Sequence, residues 1–250
     1  MDPLFDFVGQ TVLVTGGSRG LGREMCLAFA ARGANLVIAS RHLDACEIVA
    51  QEVADLGGNS LPYACHMGHW GEIETFLDAA WSHFGRIDVV VNNAGMSPLY
   101  PSLEEVSEEL FDKVVGLNLK GPFRLGALSA ARMREAGGGS IINISSINSV
   151  TPSPDAEPYA AAKAGLNALT RSFAHAYGPA VRVNAILAGP FLTDISKAWD
   201  LEAFHHQANR NMALGRGGEP HEVVAAALYL AGRGASFTTG ALLRVDGGCR

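Results

Sequence analysis

Residues 11–22 read Thr-Val-Leu-Val-Thr-Gly-Gly-Ser-Arg-Gly-Leu-Gly. A short β-prone run, 11–15, enters a glycine-rich turn without interruption, and apolar residues then recur at three- and four-residue spacing over 21–32. Glycine reaches positive φ and lets backbone N–H groups approach a pyrophosphate, while the N-terminus of the following helix adds its positive dipole. A tight strand-to-helix turn would use some of the same glycines. This turn, however, sits at the first βα junction with a strand before it and a helix after it, the context a dinucleotide site requires. Gly16, Ser18, Arg19, Gly20, Leu21 and Gly22 are therefore expected to hold the phosphates.

Outward from that junction the pattern repeats. Aliphatic runs at 35–39, 61–65, 87–91, 140–144, 181–186 and 241–245 join 11–15 as seven strands. Several are apolar on both faces, as parallel strands covered on each side must be. Helical periodicity fills 43–56, 73–84, 108–135 and 159–177 between them. Repeated β-α-β order predicts an α/β fold: a single Rossmann domain over 1–250, with a mostly parallel, doubly wound sheet and helices on both faces. The least regular stretch, 188–220, holds Phe191, Trp199, Phe204, His205 and His206. A loop-rich segment of that length in a compact domain reads as a substrate lid.

Composition narrows the function. The chain has 250 residues, 48% hydrophobic and 18% charged, which excludes a disordered protein. Lys plus Arg number 19 against 25 acids, a net charge of -6, so the basic excess of a nucleic-acid binder is absent. The first ten residues carry Asp2 and Asp6 and no long apolar stretch, and no window reaches about 18 apolar residues. Cys26, Cys46, Cys65 and Cys249 are too scattered for a zinc knuckle or a C-x-x-C pair and suit a reducing compartment. The expectation is a cytoplasmic protein without nucleic-acid or membrane partners.

The second strand selects the cofactor. An NAD site would place an acid about 20 residues beyond the glycine turn, on the ribose hydroxyls. Here the strand ends Ala39-Ser40-Arg41, and the next acid, Asp44, belongs to the following helix. The guanidinium of Arg41, with Arg19, suits a dianionic 2′-phosphate. Each arginine alone could equally be a solvated surface residue; together they favour NADP(H) over NAD(H).

Tyr159 and Lys163 stand four apart in Pro-Tyr-Ala-Ala-Ala-Lys, so a helix places them on one face. A phenol needs a drop of roughly 3 pKa units, about 4 kcal/mol, to act as an acid/base near neutrality. One cation about 5 Å away at an effective dielectric near 20 contributes roughly 3 kcal/mol, and an oxidised nicotinamide adds positive charge in the same sense. Ser145 and Ser146 close the fifth strand, where a hydroxyl meets the ligand crevice; capping or turn duty is the other reading, preferred for Ser145. Asn118 lies within 108–135, and Pro122, four residues on, cannot donate to its carbonyl. That carbonyl is either a water site leading to Lys163 or the mark of a packing kink, and spacing alone favours the kink.

Thr15-Gly16-x-x-x-Gly20-x-Gly22, Asn92-Asn93-Ala94-Gly95, Asn118, Ser146 and Tyr159-x-x-x-Lys163 occur in one order over nearly the whole chain. In this the sequence resembles the short-chain dehydrogenase/reductase family, its 3-oxoacyl-acyl-carrier-protein-reductase-like branch in particular. The resemblance implies a seven-stranded Rossmann fold in a homo-oligomer, a tetramer or dimer. It makes Tyr159 the general acid/base and Lys163 the residue that lowers its pKa and binds the nicotinamide ribose. Ser146, 13 positions before Tyr159, would polarise the substrate oxygen, and Asn118 would support a water relay. Asn93 and Gly95, with Ala94 between them, would line the adenine-ribose side, and Thr193 would meet the carboxamide near Gly189. Two departures stand out. Ala188-Gly189 replaces the usual Pro-Gly and predicts a more mobile loop over the nicotinamide. Cys65-His66-Met67 replaces an Asp that contacts adenine, leaving that contact to the Met67 backbone.

His66, His69, His205 and His206 have no third partner at zinc-like spacing, so no metal is expected. Trp70, Trp81 and Trp199 read as packing residues, Trp199 also as a ligand platform. Met96, Asn148, Ser153, Phe191 and Trp199 are candidates for the substrate face, and the Ala130-Ala131 face and the last strand for contact between copies. The expected activity is an NADP(H)-dependent interconversion of a ketone and a secondary alcohol. The alternatives are an NAD-linked polyol or sugar-acid dehydrogenase and a non-catalytic cofactor-sensing or scaffold protein on the same fold.

Overall fold

Strand pairing builds one sheet in the order β3-β2-β1-β4-β5-β6-β7, every neighbouring pair parallel. The computed structural model describes residues 2–193, 196 and 200–250. The strands are β1 (Thr11–Thr15), β2 (Asn35–Ser40), β3 (Ser60–Ala64), β4 (Val89–Asn92), β5 (Gly139–Ser146), β6 (Val181–Ala188) and β7 (Leu242–Val245). The helices are α1 (Gly20–Ala30), α2 (Leu43–Asp55), α3 (Trp70–Phe84), α4 (Glu108–Val115), α5 (Gly121–Glu135), α6 (Glu157–Tyr177), α7 (Leu201–Asn211) and α8 (Val224–Ala231). Strand alternation divides the core between the two faces. Val12 and Val14 enter a cluster with Phe29 and Leu228, while Leu13 joins Phe76, Leu125 and Met133 on the opposite side. β1 and β4 are neighbours although their connections leave in opposite directions, so a crevice opens beyond their carboxyl ends.

Three expectations are corrected. The helix expected over 108–135 is broken by a π-turn, Gly116–Lys120, in which the Gly121 N–H donates to the Gly116 carbonyl. Pro122 withdraws one donor, so the chain widens by a residue rather than kinking freely. Gly121 must be glycine there, because a Cβ would come 2.0 Å from the Met67 carbonyl oxygen.

The second correction concerns 188–220, which is not loop throughout. It contains α7, whose N-cap Asp200 accepts from the Ala203 N–H at 3.0 Å, and bridges join Phe191 to Gly218 and Met212 to Cys249. Asp200 ahead of Leu201, Phe204 and Ala208 is an N-cap before helical spacing, and that is the signal in the sequence that marks this helix. The apolar run of α8, bounded by Pro220 and Gly232, is a second helix not expected from periodicity. The Ala188-Gly189 junction is pinned rather than loose: the Gly189 N–H donates to the Val245 carbonyl at 2.9 Å, and a Cβ on Gly189 would meet the Asp246 Cα at 2.5 Å.

Third, Ala130 is fully buried within its own chain and offers no face to another copy. Trp70 stacks on Phe123 and Trp81 lies against the second core cluster, both as packing residues; Trp199 lies outside the described residues.

Candidate active site

The phosphate turn is shaped by Asn93. Its side-chain amide donates to the carbonyls of Thr15 (2.9 Å) and Gly16 (3.1 Å), drawing the end of β4 onto the turn after β1. The Thr15 hydroxyl completes the joint, accepting from the N–H groups of Asn93 (3.0 Å) and Ala94 (3.1 Å). A Cβ on Gly22 would fall 2.1 Å from the Gly16 carbonyl oxygen, so only glycine lets α1 start this close. Gly16 and Gly20 have φ of 64° and 51°, the left-handed region glycine tolerates. No side chain caps α1, which leaves its first amides open toward an anion. Thr193 stands over the turn, since a Cβ on Gly20 would meet its Cγ2 at 3.4 Å. Ser18 is half-buried and Leu21 packs on the first core cluster. This cradle fits a pyrophosphate. Asn93, expected to line the ribose, instead gives its amide to the turn itself.

The second edge of the crevice carries charge. Arg19 and Arg41 are exposed and form no ion pair among the described residues. The Ser40 hydroxyl is engaged locally: it donates to the His42 carbonyl at 3.0 Å and accepts from the Cys46 thiol at 3.1 Å. In parallel register the Cys65 N–H donates to the Ser40 carbonyl, which sets His66 beside Arg41. His66 Nδ1 accepts from the Gly68 N–H at 3.1 Å, and its ring stacks on His69 at 4.1 Å between centroids. Burial, His69 and Arg41 hold the His66 imidazole below its ordinary pKa. The Met67 side chain is buried and its carbonyl turns against Gly121, leaving only its N–H for a ligand. No cluster of three or more His, Cys, Asp or Glu able to hold a metal occurs among the described residues.

The chemistry-bearing side chains meet where β5 ends beside α6. Ser145 turns inward and donates to the Lys163 carbonyl, the structural duty preferred from sequence. Ser146, next along the strand, neighbours the half-buried Tyr159, and its hydroxyl favours the phenolate of that side chain. Lys163 is 3% exposed, with Nζ 5.7 Å from the Tyr159 ring centroid and 2.7 Å from the Ile144 carbonyl oxygen to which it donates. Asn118 is fully buried at the π-turn, donating to the carbonyls of Met96 (2.8 Å) and Val114 (2.9 Å). Gly95 lies between these groups: a Cβ there would meet Asn118 Oδ1 at 2.8 Å and Lys163 Nζ at 3.5 Å. Ser146, Tyr159, Lys163, Asn118 and Gly95 thus form one constellation.

Its electrostatics differ from the expected balance. Burial raises the Tyr159 pKa above its ordinary value, opposed only by the Ser146 hydrogen bond. Burial also drives Lys163 down to about 7. Burial disfavours the charged form of each group, the phenolate and the ammonium alike.

Of the expected substrate-face residues, Met96 is occupied through its backbone by Asn118, and Asn148 accepts from Ser153. Phe191 is 8% exposed and belongs to the first core cluster, packed on Gly218, so it does not face substrate. His205 and His206 lie exposed on α7.

Residues 16–250 match a family profile described as enoyl-(acyl carrier protein) reductase. L-rhamnose 1-dehydrogenase (NAD(P)(+)) of Azotobacter vinelandii is 39% identical over 249 residues, covering 96% of each chain. Among solved structures, a 7α-hydroxysteroid dehydrogenase complexed with NADH and 7-oxo glycochenodeoxycholic acid superposes with a TM-score of 0.95 at 30% identity, over 100% of this chain and 97% of that one. The NADPH-dependent 3-quinuclidinone reductase of Rhodotorula rubra gives a TM-score of 0.92 at 28% identity, over 98% and 93%. With the seven-stranded order, the phosphate turn and the Ser146, Tyr159 and Lys163 constellation, these likenesses lead to one conclusion: the chain belongs to the short-chain dehydrogenase/reductase family of oxidoreductases.

Proposed function

We propose that the protein interconverts a ketone and a secondary alcohol with NADP(H), Tyr159 serving as general acid and base. The observation that carries this reading is the meeting of Ser146, Tyr159 and Lys163 at the end of β5. The α1 amides, Ser18 and Gly16 to Gly22 hold the pyrophosphate, Asn93 and Ala94 shape the turn, and Thr193 and Gly189 border the nicotinamide end. Arg19 and Arg41 take the 2′-phosphate. A bound nicotinamide supplies or accepts the hydride and, when oxidised, adds a positive charge beside the phenol. The rest belongs to the chain. The Ser146 hydroxyl holds the substrate oxygen in line with Tyr159, which donates a proton to it in reduction and removes one in oxidation. The raised pKa keeps Tyr159 protonated near neutrality, the form that reduction uses. Lys163 binds the ribose hydroxyls and, with a water at the Asn118 carbonyl, refills the Tyr159 proton from solvent in reduction and passes it back to solvent in oxidation.

The segment 188–220, with α7 at its centre, serves as the lid over the substrate, and the chain works in the cytoplasm as a homo-oligomer. No helix among the described residues is long and apolar enough to cross a membrane. A second reading, an NAD-linked sugar or polyol dehydrogenase, draws on the 39% identity to L-rhamnose 1-dehydrogenase. One experiment separates them. NADPH and NADH are titrated in parallel, then NADPH oxidation is followed over acyl thioesters, cyclic and aromatic ketones, and NADP⁺ reduction over L-rhamnose and related sugars. Equal or tighter NADH binding would overturn the NADP reading.

A further inference from the structure

Tyr100 belongs to the loop after β4 and plays no part in the chemistry above, yet its hydroxyl makes two bonds to one residue of the catalytic helix. It accepts from the Glu157 backbone N–H at 2.9 Å and donates to the Glu157 carboxylate. Glu157 is the first residue of α6, and its N-cap, Ala156, has no side chain able to cap. The phenol therefore caps the helix from 57 residues away, a task usually left to a neighbouring Ser, Thr, Asp or Asn. Asp155, just upstream, has φ 67°, so the chain turns sharply into α6 where the bond takes hold. Tyr159 lies two residues beyond Glu157, and Tyr100 and Tyr159 line one small cleft with Pro98 and Pro158.

We propose that Tyr100 is a positioning residue for Tyr159: it clamps the loop after β4 to the start of α6 and so sets the Tyr159 hydroxyl against Ser146. This rests on Tyr159 being the acid/base. The same contact has an electrostatic side. The Tyr100 hydrogen bond takes up part of the Glu157 negative charge, and the carboxylate is held below its ordinary pKa by it. Without the clamp, Tyr159 is free to drift from Ser146, whose interaction favours the phenolate, and the phenolate is disfavoured.

The test measures kcat, coenzyme KM and the pH profile of alcohol oxidation with NADP⁺, using L-rhamnose or whichever substrate of the panel turns over fastest. Tyr100→Phe is expected to lower kcat about tenfold, leave coenzyme KM within about twofold, and move the ascending, acid-side limb of kcat to higher pH. Glu157→Ala should fall comparably, while Glu157→Gln, which keeps an acceptor for the phenol, stays within about threefold of the parent. If Tyr100→Phe only lowers Tm, with kcat and the limb unmoved, the proposal is overturned. Should Tyr100→Phe fail to fold, the Glu157→Ala and Glu157→Gln pair decides: equal losses in both overturn it. Tyr159→Phe, assayed alongside, keeps the two ideas apart. If it turns over normally, the acid/base assignment falls. If it is dead while Tyr100→Phe is unaffected, only the clamp falls.

Discussion

Lys163 donates to the Ile144 carbonyl at 2.7 Å, so the buried amine is tethered to β5 and not to the phenol one helical turn before it. The two groups of α6 have separate neighbours, the strand backbone for Lys163 and Ser146 for Tyr159. A mutation in one need not displace the other.

The buried amine has a thermodynamic signature. Its pKa falls from 10.5 in the unfolded chain to about 7 in the folded one, so between those values the unfolded state binds more protons. The stability of the cofactor-free protein should rise with pH over that window, on the order of 1.4 kcal/mol per unit for this group. Lys163→Met removes that slope; urea unfolding at pH 7 and pH 9.5 compares the two proteins. A parallel slope in the variant contradicts the assignment.

Tyr159→Phe should abolish turnover, by about a thousandfold or more, because it removes the hydroxyl that exchanges the proton. NADPH affinity, followed by fluorescence quenching, should stay within about threefold. Ser146→Ala is expected to cost roughly 10²-fold in kcat with a smaller change in coenzyme binding.

Arg41→Ala with Arg19→Ala should weaken NADPH by roughly 10–100-fold for each charge-assisted hydrogen bond removed, about 1.5–3 kcal/mol apiece, while NADH binding changes little. Calorimetric titration of both coenzymes reads the ratio. A constant NADPH-to-NADH ratio in the double variant would remove the arginines from cofactor choice.

Two glycine substitutions separate close approach from mere flexibility. Gly22→Ala drives a Cβ to 2.1 Å from the Gly16 carbonyl and 2.6 Å from the Asn93 amide, and should abolish coenzyme binding. Gly71→Ala, in the first turn of α3 with nothing within 4 Å, should be neutral or stabilise by up to about 1 kcal/mol. Thermal unfolding with and without NADPH checks both.

The seven strands, the phosphate turn and the Tyr159 to Lys163 face of α6 are legible in the sequence because each is local. Period-2 and period-3.6 patterns and a four-residue spacing are carried by neighbouring residues. The π-turn at Asn118 is half legible: Pro122 announces a missing donor, but only the press of Gly121 against Met67 shows how the chain absorbs it. α7 is hard to read because its apolar face is thin and most of its residues are exposed. Phe191 is not placed by its sequence, since an aromatic in an irregular segment looks the same whether it turns to a ligand or to its own core.

By itself, then, the order of residues determined the fold class, the glycine cradle and the sharing of one helix face by Tyr159 and Lys163, since those follow from chain-local sterics and spacing. Only tertiary structure decided that Asn93 is tied into the turn, that Tyr100 caps α6, and that burial raises the Tyr159 pKa while it lowers that of Lys163. Those outcomes depend on groups far apart in sequence sharing a low-dielectric interior, where burial and pairing compete and no linear pattern records which prevails.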